Sequence, residues 1–133
     1  MPYSNNYTAL LTAARDAMNN SHSPFSGYRV GAAIMDSSGT IYVGCNVENA
    51  AYGSTICAEA GAVANAIAAG KSERLVAIAV VTATAGTPCG NCRHILAEDA
   101  PKCTILLATP ETLDTPLETN LSALLPDPFT SLG

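Results

Sequence analysis

Charged residues, and basic residues above all, are scarce in this chain. They make up 13% of the 133 residues, about half of the ~25% that is usual for a soluble domain. Eleven acidic residues against six basic ones give a formal net charge of −5. No cluster of lysine or arginine is present that could neutralise a phosphate backbone. The charge balance therefore argues against a polymeric nucleic acid as partner and favours a small neutral molecule.

The sequence also lacks long apolar stretches. The longest uninterrupted apolar run, residues 75–81, is far shorter than the ~18 residues that indicate a membrane span. The first residues contain no basic segment followed by an apolar one, as a secretory leader would, and five cysteines are an odd number for a disulfide framework. We therefore expect a soluble protein of the reducing cytoplasm, with no membrane partner.

No linker, repeat or low-complexity segment divides the chain. Its length suits one domain, residues 1–133, whose core needs no disulfide or metal cross-link for stability. Apolar periodicity predicts a first helix over residues 7–18. Residues 28–35 and 40–47 are typical of a hairpin whose turn is residues 36–39.

The second half of the chain alternates between helical and strand patterns. An alanine-rich helix is predicted over residues 57–69 and a strand buried on both faces over 75–82. A helix follows Pro88 over 89–98, then a short strand over 104–108 and a short helix over 117–125. This alternation favours an α/β/α sandwich around one mixed sheet.

Two short motifs carry the chemistry of the sequence. Cys57-Ala58-Glu59 is followed by Pro88-Cys89-Gly90-Asn91-Cys92, a pairing that matches the three-cysteine form of the zinc deaminase signature. Three protein ligands leave tetrahedral zinc one open position, where a bound water can ionise near neutral pH. The alternatives are a closed zinc knot, a redox dithiol or a disulfide. A closed knot would need a fourth ligand from Cys45, Cys103 or a histidine.

Both motifs are predicted to lie at the starts of helices. The free amide groups there lower thiol pKa values and favour metal binding by Cys57 and Cys89. Glu59 lies two residues beyond Cys57, about 200° round the helix, so it can lean over the open coordination position as a proton shuttle. The alternative is a first-turn glutamate favoured by the helix dipole alone.

The sequence resembles the small homotetrameric cytidine deaminases over most of its length. The resemblance rests on residues 23–33 (SPFSGYRVGAA), 44–53 (GCNVENAAYG), 56–59 (ICAE), 88–93 (PCGNCR), 124–126 (LLP) and Phe129. It implies a five-stranded mixed sheet flanked by helices. It also implies a homotetramer whose four active sites are built at subunit contacts.

The resemblance also implies a set of site residues. One zinc ion per subunit would be held by Cys57, Cys89 and Cys92, with Glu59 as the general acid and base. The residues implied at the nucleoside are Tyr28, Asn46, Glu48, Tyr52, Ala58 and Phe129, the last from a neighbouring subunit. Alternatively, Asn46 caps a strand end, Glu48 is solvated, and Tyr52 and Phe129 anchor the core or the tail.

The chain departs from the family pattern beside the catalytic glutamate. Ala60 occupies a position where many members carry an arginine that offsets the charge of three thiolates, and Arg93 is the nearby cation predicted to compensate. His94 stands in place of a glutamine and is interpreted as a helix-surface histidine. Because Ala60 and Gly61 are small, we hypothesise space for cytidines with a larger N4 substituent.

The predicted activity is hydrolytic deamination of cytidine and 2′-deoxycytidine to uridine and 2′-deoxyuridine through a zinc-bound hydroxide, as in pyrimidine salvage. An alternative within the family is deamination of a cytosine-nucleoside antibiotic of the blasticidin S type. An alternative of another class is a non-catalytic zinc-binding or redox protein, which would have no need of Glu59.

Overall fold

The computed structural model describes residues 2–129, with side chains described from residue 7 onward. The elements follow one another as α1 (Pro2–Met18), β1 (Gly31–Asp36), β2 (Ile41–Cys45), a short 3-10 turn (Tyr52–Ser54), α2 (Ala58–Ala68), β3 (Leu75–Val81), α3 (Gly90–Asp99), β4 (Thr104–Ala108), β5 (Leu117–Asn120) and α4 (Leu121–Leu124). The strands form one mixed sheet in the order β2-β1-β3-β4-β5. Only β3 and β4 run parallel; the other neighbours are antiparallel.

The sheet is covered on both faces, because alternate side chains of its central strands enter two separate cores. Ile34, Ile78 and Val80 pack with α2 and α3 on one face. Met35 and Val81 pack against α1 on the other. The α/β/α sandwich with a five-stranded mixed sheet is therefore confirmed. Within the described chain, every helix is too short or too polar to cross a membrane.

The prediction of a single helix over residues 117–125 was wrong. Residues 117–120 form the edge strand β5, antiparallel to β4, and only one turn of helix follows. The two elements meet at Asn120, whose side-chain oxygen accepts a hydrogen bond from the Ala123 amide at 2.9 Å. This is an ordinary N-cap, and it marks the start of the helix four residues later than predicted.

A glycine contact fixes the position of α2 on the sheet. A β-carbon on Gly44, in β2, would overlap the amide nitrogen of Ala62 and lie 2.5 Å from the carbonyl oxygen of Ala58. Gly61 faces the same strand, 3.8 Å from the carbonyl oxygen of Cys45. The backbones of β2 and α2 therefore approach more closely than any side chain at Gly44 would permit.

We predict that Gly44→Ala lowers the free energy of unfolding by about 3 kcal/mol, because the added methyl group must push α2 off the sheet. Gly53→Ala is the matched control: its β-carbon would meet nothing within 4 Å, so stability should stay within about 0.5 kcal/mol of the parent. Urea unfolding followed by circular dichroism measures both variants. Equal stability of the two variants would show that the close approach carries no energy.

Candidate metal centre and active site

Three cysteine side chains from two helix starts meet at one point. Cys57 and Cys89 are the N-cap residues of α2 and α3. Each has extended backbone, and its carbonyl accepts the first helical hydrogen bond, from Gly61 at 3.0 Å and Arg93 at 2.9 Å. Cys92 lies in the first turn of α3 and is fully buried. The three sulfur atoms all lie within 4.8 Å of one another.

The sulfur geometry fits a zinc ion. Sulfur ligands 2.3 Å from a tetrahedral zinc lie about 3.8 Å apart, and the Sγ atoms of Cys57 and Cys89 are 3.9 Å apart. That separation is far too long for a disulfide bond. Among residues 2–129, no histidine, aspartate or glutamate joins the three cysteines as a fourth ligand. The donor set is therefore that of an open zinc site rather than a closed knot.

Burial and charge act on the three thiols in different ways. Burial raises the pKa of Cys57 and of Cys92, and at Cys92 the negative charge of Glu59 raises it further. Burial also opposes ionisation of Cys89, but the backbone amide of Cys92, the thiols of Cys92 and Cys57 and the backbone amide of Asn91 together bring its pKa below the ordinary value. A cation bound by all three sulfur atoms would offset the effects of burial and of neighbouring negative charge. Such a cation favours ionisation, because metal binding requires deprotonated thiols.

Glu59 lies in the first turn of α2, beside the cysteine cluster, and only 5% of it is exposed. Burial raises the pKa of its carboxyl group. Its side chain lines a cavity of about 210 Å³ together with Cys57, Ala58 and Cys89. A buried carboxyl with a raised pKa, facing a cavity, is suited to taking up and giving back a proton.

The other predicted substrate residues divide between two adjoining pockets. Tyr28 and Asn46 line the cavity that contains Glu59. Glu48 and Tyr52 line a shallower neighbouring pocket with Phe25, and Thr55 borders both. Phe129 belongs to neither pocket; its ring stacks on His94 of the same chain, with ring centroids 6.5 Å apart, and is 64% exposed.

Asn46 and Glu48 both organise the loop before β1. The Asn46 side chain donates to the Tyr28 carbonyl at 2.8 Å and accepts from the Val30 amide at 3.0 Å. The Glu48 carboxylate accepts hydrogen bonds from the Ser26 hydroxyl and from the amides of Phe25 and Ser26. These bonds, that of the hydroxyl first, hold the pKa of Glu48 below its ordinary value. The alternative of a merely solvated Glu48 is therefore wrong.

Arg93 lies close to the cysteines, but its hydrogen bonds go elsewhere. Its guanidinium donates to the carbonyl oxygens of Pro88 and Leu124 and to the Thr87 hydroxyl. Among the described residues, none of its hydrogen bonds reaches a sulfur atom. The contacts of Arg93 are therefore with oxygen atoms rather than with the cysteines, and compensation of the thiolate charge by Arg93 stays a prediction.

The loop between β3 and α3 was missed as part of the site. Thr82, Gly86 and Thr87 line the cavity, and the buried Thr82 hydroxyl accepts from the amides of Thr84 and Gly86. Ala85, between them, has a φ of 54°, an uncommon value for a non-glycine residue. The position of this loop in the sequence could have identified it, because it follows the parallel strand β3. Loops at the carboxyl ends of parallel strands commonly form ligand sites.

The remaining cysteines lie outside the cluster. Cys103 is buried, which raises its pKa to about 11, and Cys45 is partly buried; both are free thiols. A thiol with so high a pKa is unreactive at neutral pH. The three clustered thiols, the buried carboxyl group and the cavity on an α/β/α sandwich together define a zinc-dependent hydrolytic enzyme.

Comparison with known proteins gives the family. The family described as cytidine and deoxycytidylate deaminase zinc-binding region matches residues 4–108. A cytidine deaminase of Halalkalibacterium halodurans is 39% identical over 124 residues, which are 92% of each chain. One of Sporosarcina psychrophila is 43% identical over 91 residues, 67% of this chain and 66% of that relative.

Solved structures agree with this assignment. The cytidine deaminase from Burkholderia pseudomallei has a TM-score of 0.83 and 40% identity, and the match covers 91% of this chain and 97% of that one. The cytidine deaminase from Mycobacterium tuberculosis has a TM-score of 0.79 and 35% identity, and the match covers 94% of this chain and 98% of that one. The chain belongs to the cytidine and deoxycytidylate deaminase family.

The structure accounts for the hydroxyl group of Tyr28, which shares a hydrogen bond of 2.7 Å with the Thr84 hydroxyl. Because both side chains are exposed, we predict that Tyr28→Phe lowers kcat/KM for cytidine by less than about tenfold. Thr84→Val should have the same effect, and the double variant should lose nothing more. A large loss in Tyr28→Phe alone would mean that the hydroxyl touches the substrate instead.

Proposed function

We propose that this protein catalyses the hydrolytic deamination of cytidine and 2′-deoxycytidine to uridine and 2′-deoxyuridine. One observation carries the proposal: three thiols lie within 4.8 Å of one another, and two of them, Cys57 and Cys89, line the same cavity as the buried carboxyl group of Glu59. A closed structural zinc site or a redox dithiol has no use for that carboxyl group. The cytidine deaminase names of the relatives support the same reaction.

Cys57, Cys89 and Cys92 would hold the zinc ion. When bound, a zinc ion of this kind is a Lewis acid that lowers the pKa of a water ligand to about 7. The contribution of the protein is to place Cys57 and Cys89 in the wall of a mostly apolar cavity, which also includes Val30 and Val80. Low polarity around the reacting atoms strengthens every charge interaction there.

Glu59 moves the protons. Its carboxylate takes a proton from the attacking water and gives it to ring nitrogen N3, which makes carbon C4 electrophilic. After the water oxygen has bonded to C4, the carboxylate takes the second proton from that oxygen and delivers it to the exocyclic amino group, and the bond from C4 to that nitrogen breaks as a carbonyl forms at C4. One water is consumed, and one ammonia and one uracil nucleoside are formed. Proton transfer of this kind contributes about 10²–10⁴ in rate.

The nucleoside contacts extend this proposal. Tyr28 and Ala58 would contact the base and sugar inside the cavity, and Asn46 and Glu48 would face the ribose hydroxyl groups while holding the loop over the sugar. Tyr52, which is 79% exposed, and Phe129 would cover the pyrimidine sites, Phe129 doing so in a neighbouring subunit of a homotetramer. Large exposed aromatic rings on a weakly charged surface are typical of residues that contact another subunit or a ligand.

The setting of the enzyme follows from the same chemistry. We propose one domain over residues 1–133, acting in the cytoplasm on free nucleosides in pyrimidine salvage. The net charge of −5 disfavours a polymeric nucleic acid as substrate.

Two variants separate metal binding from catalysis. We predict that Glu59→Gln keeps its zinc and loses at least about 100-fold in kcat, because the amide cannot carry the proton. Cys89→Ala should lose both zinc and turnover, since two thiolates hold zinc weakly. Ultraviolet absorbance of cytidine and a zinc assay measure the two properties. Glu98→Gln, on the exposed side of α3, is the matched control; a fully active Glu59→Gln variant would rule out the mechanism.

Acceptance of cytidines with a larger N4 substituent is the finest part of the proposal. Gly61 faces β2 rather than the cavity, so it does not supply the space that was expected beside it. A larger substituent would instead have to pass the side formed by Gly86 and Thr87. We predict that N4-methylcytidine is turned over, with Gly86→Val more damaging to it than to cytidine, as comparison of kcat/KM values will show. No turnover of the analogue would end this extension.

A further inference from the structure

Arg93 joins two parts of the chain that are distant in sequence. Its Nε donates to the Pro88 carbonyl at 2.7 Å and one terminal nitrogen donates to the Thr87 hydroxyl at 3.0 Å. The other terminal nitrogen donates to the Leu124 carbonyl at 2.9 Å. Pro88 and Thr87 immediately precede the metal-ligand candidate Cys89, whereas Leu124 is the last residue of α4.

Of the two oxygens on the ligand side, that of Pro88 is the less accessible to water, because Thr87 is exposed. α3 begins at Gly90, so the Pro88 carbonyl lies outside the helical ladder. Pro88 itself is almost fully buried. A helical side chain points back toward the N-terminus of its helix, and this direction brings the Arg93 guanidinium onto the residues in front of Cys89.

The C-terminal side depends on outside contacts even more. α4 is one turn, from Leu121 to Leu124, and an isolated helix of that length is not stable in water. The Asn120 cap holds its start. Arg93 holds its end, where carbonyl groups lack helical partners. A second contact follows five residues later, where Phe129 stacks on His94, the neighbour of Arg93.

We propose that Arg93 is a positioning residue that fixes the loop carrying Cys89 and residues 121–129 to each other through its three-pronged geometry, and not through its charge. The inference rests on the proposed function in one respect, that Cys89 binds zinc. The inference goes beyond the proposed function because it assigns to Arg93 the alignment of a metal ligand, Cys89, with the segment that carries Phe129.

Two substitutions separate geometry from charge. Arg93→Lys keeps the positive charge but replaces a planar fork with a single ammonium group, whereas Arg93→Gln removes the charge. A positioning role predicts that both variants release zinc to a chromophoric chelator at least about tenfold faster than the parent. A charge role predicts that Arg93→Lys resembles the parent and that only Arg93→Gln loses zinc faster.

Hydrogen exchange supplies a readout that needs no metal. The Ala123 and Leu125 amides are bonded to the Asn120 side chain and the Leu121 carbonyl, and their exchange should speed up at least about tenfold in Arg93→Lys. Arg15→Lys is the matched control, because among the residues that the structure describes the Arg15 side chain pairs only with its exposed neighbour Asp16; both readouts should equal those of the parent.

The outcomes are distinct. Parent-like zinc release or parent-like exchange in Arg93→Lys overturns the proposal, since either result removes one side of the connection. If the Arg93 variants fail to fold, Thr87→Val still tests it: the loss of one bond should hasten zinc release, and an unchanged rate overturns the proposal. If the parent protein binds no zinc, the proposed function fails, while the exchange measurement still tests the contact with α4.

Discussion

The convergence of two helix starts is the constraint on which the rest of the structure depends. Three thiols and one carboxyl group lie close together where like charges oppose one another, and Cys92 and Glu59 are buried. Burial raises the pKa of Cys57, Cys92 and Glu59, and neighbouring negative charges raise the pKa of the two thiols further. Such a cluster is unfavourable unless a cation offsets the negative charge that its ionisation creates. A zinc ion bound by the three sulfur atoms would offset that charge. The fold therefore has to hold both helix starts in fixed positions.

Backbone contacts supply that firmness. α2 is set against β2 by the close approach at Gly44, and α3 begins after a short loop from β3, the central strand of the sheet. The two helices thus pack on the same core layer, and their starts meet at the cysteine cluster. The position of α2 depends on a backbone contact rather than on a long side chain, whereas the loop before α3 is also held by the hydrogen bonds of Arg93.

Helices α1 to α3, the central strands and the cysteine cluster were predictable because their signals are local. A Pro before Cys89 and a glycine after α2 mark helix ends, and the unbroken apolar run identifies β3 as buried. The strand β5 was not predictable in this way. Leu117 is 63% exposed, so the sequence of β5 shows no buried apolar face that would indicate a strand. The strand forms because it pairs with β4. The partners of Arg93 also could not be predicted, because Leu124 lies 31 residues away.

The same geometry explains how the site tolerates Ala60. Zinc with three thiolates carries a net charge of −1, and an arginine at position 60 would be one way to offset it. Each helix start instead contributes a partial charge of about +0.5, so α2 and α3 together contribute about +1. The amides of Asn91 and Cys92 deliver part of this directly to the Cys89 sulfur. Because these dipoles belong to the backbone, they are already oriented and need no reorganisation when charge develops. The chain can therefore keep a three-thiolate site without a cationic side chain in contact with it.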